Sequence, residues 1–235
     1  MNDQMNTPMS PSPMPSGPTS FYQVWMNALT KPNEQTYADI ANSPNAKATT
    51  AYMWVFLGSL VASFLSLLVQ GAVIRSQLST IGEGRLGTGF VGIAITLLCG
   101  APIAAVFGTV VFAVFTALIQ WVAKMFGGKG TNDQLAYVYA AIGVPYTLVS
   151  GVFILLSAIP YVGFCFRIIL GLAGFYILFL EITAAKAVNQ LDWGRAAGSV
   201  LIPGAALFFL CCCVVFGVSM LAGASASKIL QQLQP

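Results

Sequence analysis

Five long apolar runs alternate with short polar links along this chain: Ala51–Ile74, Gly92–Val122, Leu135–Ala158, Val162–Ala184 and Gly198–Gly223. As helices rising about 1.5 Å per residue, each is long enough to cross about 30 Å of hydrocarbon. The pattern predicts an all-α fold, a polytopic transmembrane helical bundle of five spans. One stretch is ambiguous. Gly87 to Val122 runs for 36 residues without a charge. It reads either as one long helix broken near Gly100 and Pro102 or as two short helices, which would make six spans. The link Ile159-Pro160-Tyr161 is so short that the third and fourth spans form a tight hairpin. Thr131-Asn132-Asp133-Gln134 fits the capping box that starts a helix, and Pro145, Pro160 and Pro203 read as kinks or span starts.

The flanks differ in kind. Residues 1–20 hold five prolines, four methionines and no apolar run, which predicts a disordered tail and no signal peptide. Within residues 21–50, expected to be a cytoplasmic amphipathic segment, Phe21, Tyr22, Trp25 and Leu29 recur on one helical face, with Gln23, Asn27 and Thr30 largely elsewhere. Such a helix either lies in the membrane interface or packs on the protein's own inner face. Residues 51–223 form the transmembrane domain, and 224–235 a short C-terminal tail.

Composition confirms the class and narrows the chemistry. The chain is 57% hydrophobic and 7% charged, with a mean hydropathy of +0.80, whereas a soluble domain carries roughly 25% charged residues. A net charge of +3 without any basic block gives no footprint for nucleic acid. There is no histidine, which removes Ser–His catalysis and His-ligated zinc or haem. Cys99, Cys165, Cys211, Cys212 and Cys213 all lie in apolar stretches. Adjacent helical positions point about 100° apart, so the last three cannot converge on one metal. "FGGKGT" lacks the first glycine and the terminal Ser/Thr of a phosphate loop and reads as a plain loop. No catalytic, metal or cofactor-binding residue is expected.

Charge sets an orientation. In the five-span reading Lys31, Lys47, Lys124, Lys129, Lys186 and Arg195 share the N-terminal side, against Arg75, Arg85, Arg167 and Lys228 opposite. The positive-inside rule then places the N-terminus in the cytoplasm and the C-terminus across the membrane. Trp25, Trp54, Trp121 and Trp193 fall at the same inner interface.

Arg167 and Glu181 are the charges nearest a span interior. On one helix they stand about 21 Å apart, and neither lies at the bilayer centre, so they read as end-of-helix charges that pair locally rather than as an ion path. Gly163, Arg167 and Gly171, with Gly174 beside them, make a small-residue face expected to meet a neighbouring helix of this chain or another. The polar patch after the fourth span nominates Glu181, Lys186, Asn189 and Trp193, together with Trp25, as an inner-face docking surface.

From about Phe21 to Gly223 the chain resembles the Yip1 family of five-span membrane proteins, and more closely its bacterial branch. The resemblance rests on Trp25-x3-Leu29-x2-Pro32, the proline in "YVYAAIGVPYTL", the "IPYVGF" hairpin and "EITAAKAVNQLDWGRAAGSVLIP". It implies a cytoplasmic N-terminus, five helices and no catalytic activity, with a plasma-membrane location for a bacterial member. Eukaryotic relatives act in vesicle trafficking, several with Rab GTPases. The Asp-Leu-x-Gly-Pro type signature is matched only loosely by "DIANSP" (Asp39 to Pro44), so Rab binding is not carried over. The expected function is a non-enzymatic membrane organiser or partner adaptor working with the lipid bilayer and a membrane or cytoplasmic protein, with homo-oligomers open. The alternative is a small oligomeric transporter or channel for a lipid or neutral solute, suggested by the broken second span.

Overall fold

The computed structural model describes residues 20–80, 94–157, 159 and 163–232. All but the last residue of the tail expected over 1–20 lies outside this set, as do Pro160, Tyr161, residues 81–93 and the last three residues. Seven α-helices are described: α1 Phe21–Thr30, α2 Glu34–Ala41, α3 Ala48–Thr80, α4 Ala101–Met125, α5 Asn132–Leu156, α6 Gly163–Asn189 and α7 Trp193–Gln232. Five are long and apolar enough to cross a membrane, over Ala48–Gly71, Leu98–Met125, Asn132–Leu156, Gly163–Asn189 and Trp193–Cys213. The chain is a multi-pass membrane protein of the all-α class, and its described residues carry five spans.

The expected break in the second span takes the form of a π-helical turn, Thr96–Gly100, running straight into α4. Pro102 near the start of α4 has no N–H to close the preceding turn, and a widened turn absorbs the mismatch. Ile95, Gly100 and Ala101 all keep right-handed helical angles, so from residue 94 onward this is one continuous span.

The helix α5 is the axis of the bundle. Thr131 caps it as expected: its side chain accepts from Gln134 N–H, while Thr131 N–H donates to Gln134 Oε1. From Leu135 to Ile142 every residue is buried, because α1, α2, α3, α4 and α6 all pack around this half. Pro145 lies inside α5 and Pro203 inside α7 without ending either helix. Away from this end the spans turn large apolar side chains outward, among them Ile103, Phe107, Phe164, Leu172, Phe175 and Phe208. We call the end at which the N-terminal helices gather the N-side, and the opposite end the far side.

Candidate functional site

On the N-side, α4 ends in a Schellman motif. Gly127 takes a positive φ of 89°, Gly128 N–H bonds Ala123 O at 2.9 Å and Gly127 N–H bonds Lys124 O at 3.0 Å. Glycine relieves the left-handed position of its steric cost. The loop that follows is pressed onto the end of α6. A Cβ on Gly130 would stand 2.7 Å from Val188 O and 2.9 Å from Asn189 Oδ1, and one on Gly128 2.9 Å from Asn189 Oδ1. Close approach, not phosphate chemistry, is what these glycines serve.

Asn189 is the centre of this joint. Its Oδ1 accepts from Gln120 Nε2 at 2.9 Å, and its backbone carbonyl accepts from Lys129 N–H at 3.1 Å. Gln120 Nε2 also donates to Gly130 O at 2.6 Å. Both side chains are buried, so the pair locks α4, its loop and α6 together. Gln120 Oε1 and Asn189 Nδ2 have no partner among the described residues, so within that set the lock is polar but incompletely satisfied. Just beyond it α6 also ends in a left-handed residue, here Gln190 with φ 56°, and Leu191 N–H reaches back to Lys186 O at 3.2 Å.

The N-terminal helices close over the same end. Asn33 caps α2 by accepting from Thr36 N–H at 2.7 Å. Lys186 Nζ pairs with Glu34 Oε1 at 2.5 Å, with Lys186 18% and Glu34 53% exposed. The same ammonium lies 4.8 Å from the Trp193 ring, which stacks on Phe179 at 5.9 Å. Gln134 Nε2 donates to Asn42 Oδ1 at 3.3 Å, tying α5 to the chain just after α2. An aromatic series, Phe21–Trp25–Trp54–Tyr137, runs from α1 through α3 to α5 with ring centroids 5.0–5.7 Å apart. The phenol of Tyr37 donates to Ala28 O at 2.9 Å. Burial, and secondarily Tyr176 nearby, raise its pKa above the ordinary tyrosine value.

The five docking candidates are thus divided. Trp193 stays 45% exposed and meets Lys186 across the turn between α6 and α7. Asn189 is fully buried, turned inward by Gln120, and is part of the joint rather than its surface. Trp25 is half-buried against Trp54. Glu181 is half-buried, and its backbone carbonyl accepts from Tyr139 OH at 3.0 Å. Local pairing of Glu181 with Lys186 does not occur: five residues on a helix turn the two side chains about 140° apart, and Lys186 goes to Glu34. Of the small-residue face, Gly163 sits against the Ser157 carbonyl of its own hairpin, and a Cβ on Gly174 would be 3.7 Å from Tyr146 Oη. Gly171 has open space beside it and Arg167 is exposed, so among the described residues no helix packs along the whole face.

Sequence reasoning missed Gln120, Glu34 and the whole of α2. A signal for α2 was present in Pro32-Asn33 followed by Thr36, a helix-start pattern. None marked Gln120, a lone amide in an apolar run.

The family described as the Yip1 domain matches residues 26–215, from the middle of α1 into α7. Comparison with curated proteins and with solved structures returns no match.

Proposed function

Since this chain belongs to the Yip1 domain family, we propose that it is a non-enzymatic membrane protein that scaffolds a partner through its N-side. The N-terminus and the joint lie in the cytoplasm in this reading, the C-terminus lies across the membrane, and the membrane is the plasma membrane if the source is bacterial. The observation that carries the proposal is Trp193. It is a large, exposed ring held rigid by stacking on Phe179 and by the Lys186 ammonium, next to a joint that fixes its position. Preorganised aromatic side chains of this kind are what protein partners use as anchors.

The test is native mass spectrometry of the full chain gently extracted from its own membranes. A stoichiometric protein partner that is lost in Trp193→Ala and kept in Phe175→Ala supports docking at this face. A partner kept in both variants, or none beside retained lipid, overturns it. The second reading, an oligomeric carrier of a lipid or neutral solute, draws on the π-turn Thr96–Gly100, since π-turns recur at functional sites. Solute flux in liposomes that survives alanine at Arg167 and Glu181 would favour that reading.

A further inference from the structure

The helix α1 has three faces. Val24 and Ala28 are buried against the protein. Gln23, Asn27 and Thr30 form a polar strip. Tyr22 and Met26 form an apolar strip, 60% and 42% exposed, that no described residue covers, and at the start of the helix Phe21, 57% exposed, sets one ring edge against Trp25.

Its depth is set by two contacts. Trp25 meets Trp54, six residues or about 9 Å along α3. Leu29 O accepts from Tyr176 OH at 2.8 Å, and Tyr176 stands about 20 Å before the end of α6. So α1 dips beside the spans instead of lying across their ends. At the same level α3 also exposes the apolar side chains of Met53 and Leu57.

The end of α1 also draws most of its bonding from within the protein. A helix leaves its last carbonyls without intrahelical partners, and water usually serves them. Here Met26 O accepts from Thr30 Oγ1 at 2.6 Å and Asn27 O from Lys31 N–H at 3.0 Å. Ala28 O and Leu29 O accept from the hydroxyls of Tyr37 and Tyr176. Satisfying backbone groups from within the protein is what a segment at membrane depth requires.

We propose that α1 is a lipid-inserted half-helix whose Tyr22–Met26 strip, with the exposed part of the Phe21 ring, is covered by the acyl-chain and headgroup boundary of the N-side leaflet. The polar strip faces water and headgroups, Val24 and Ala28 face the bundle, and the apolar strip meets lipid. This inference stands independently of any protein docking at Trp193.

The test uses the full chain in phospholipid nanodiscs, with a benzophenone amino acid replacing Tyr22 in one sample, Phe175 in a second and Asp192 in a third. Gel filtration checks that each is folded, and Met26 replaces Tyr22 as the labelled site if that variant is not. After irradiation, mass spectrometry is expected to find phospholipid joined at position 22 as abundantly as at 175, with loss of the adduct at 192. Loss of the lipid adduct at 22, or its replacement by a crosslink to residues 1–19, to a second copy or to another protein, overturns the proposal.

Discussion

On the N-side, Gln120 and Asn189 tie α4 to α6, Lys186 and Glu34 tie α6 to α2, and two tyrosine hydroxyls hold the end of α1. Toward the far side, Thr109, Thr147, Ser150 and Ser157 turn their hydroxyls onto carbonyls three or four residues back in their own helices. A bond that does cross between helices there, Tyr146 OH to Leu170 O, is long at 3.4 Å. Lipid tails are as apolar as leucine, so burial from lipid gives helices little reason to choose one register over another. Polar joints and close glycine contacts supply that reason. The cross-helix polar joints gather at the N-side and set the register there, while toward the far side it is held by glycine contacts between α3 and α5, Gly58 against Val144 and Gly151 against Leu65 and Ala62.

The sharpest way to break the contrast is a single methyl. Gly130→Ala should cost about 2 kcal/mol, in the range of overpacked sites, because one of the atoms it meets is the Val188 backbone carbonyl. Gly171→Ala, with nothing within 4 Å, should leave stability unchanged or slightly raised. Thermal unfolding of both variants in nanodiscs compares them directly, and equal losses would dissolve the distinction between the two halves.

Next in size, Tyr176→Phe should cost about 1 kcal/mol, since it leaves Leu29 O without its donor, and should speed amide exchange in α1. Tyr146→Phe, losing a long bond, should do much less, and an equal effect of the two would count against the N-side as the anchored end. The Tyr37 phenol gives a pH handle on the same cap. Its pKa in the fold is raised, so its contribution is fully present below the ordinary value of about 10. That contribution is lost as pH rises above this value, loosening α1 in strong alkali.

Gln190→Gly should act in the opposite direction. A non-glycine residue at φ 56° bears a left-handed strain that glycine lacks, and relief of about 0.5–1 kcal/mol is the usual scale. An unchanged or lowered melting temperature would show that the Gln190 side chain contributes more than its backbone costs. Smallest of all, Lys186→Met should cost less than about 1 kcal/mol, since Glu34 is half exposed. Its effect should shrink further in high salt, as melting curves at two ionic strengths will show.

Much of the scaffold was readable because its signals are local. The spans announce themselves by length and the Thr131–Gln134 box by a four-residue motif, while Gly100 and Pro102 flag an irregularity read as a break that the structure makes a π-turn. The joint was not readable, because its partners are far apart in sequence and chemically ordinary. Nothing near Gln120 points to Asn189. Nothing in Tyr176 says that its hydroxyl will reach a carbonyl of a helix 147 residues earlier. The periodicity of α1 was seen, but the face it defined divides: Trp25 and Leu29 pack inward beside small Val24 and Ala28, whereas Phe21 and Tyr22 stay exposed.

The Gln120–Asn189 lock also constrains the order in which the molecule is made. Gln120 leaves the ribosome 69 residues ahead of its partner. In that interval α5 and α6 must both be synthesised before the Asn189 acceptor reaches it. Until then α4 holds an amide near the membrane surface that can bond only to water or to Gly130 O in the next loop. Closure of the lock therefore marks the moment when the fourth span has arrived, and a chain stalled before Asn189 would leave the α4 loop unfastened and open to insertion machinery or proteases.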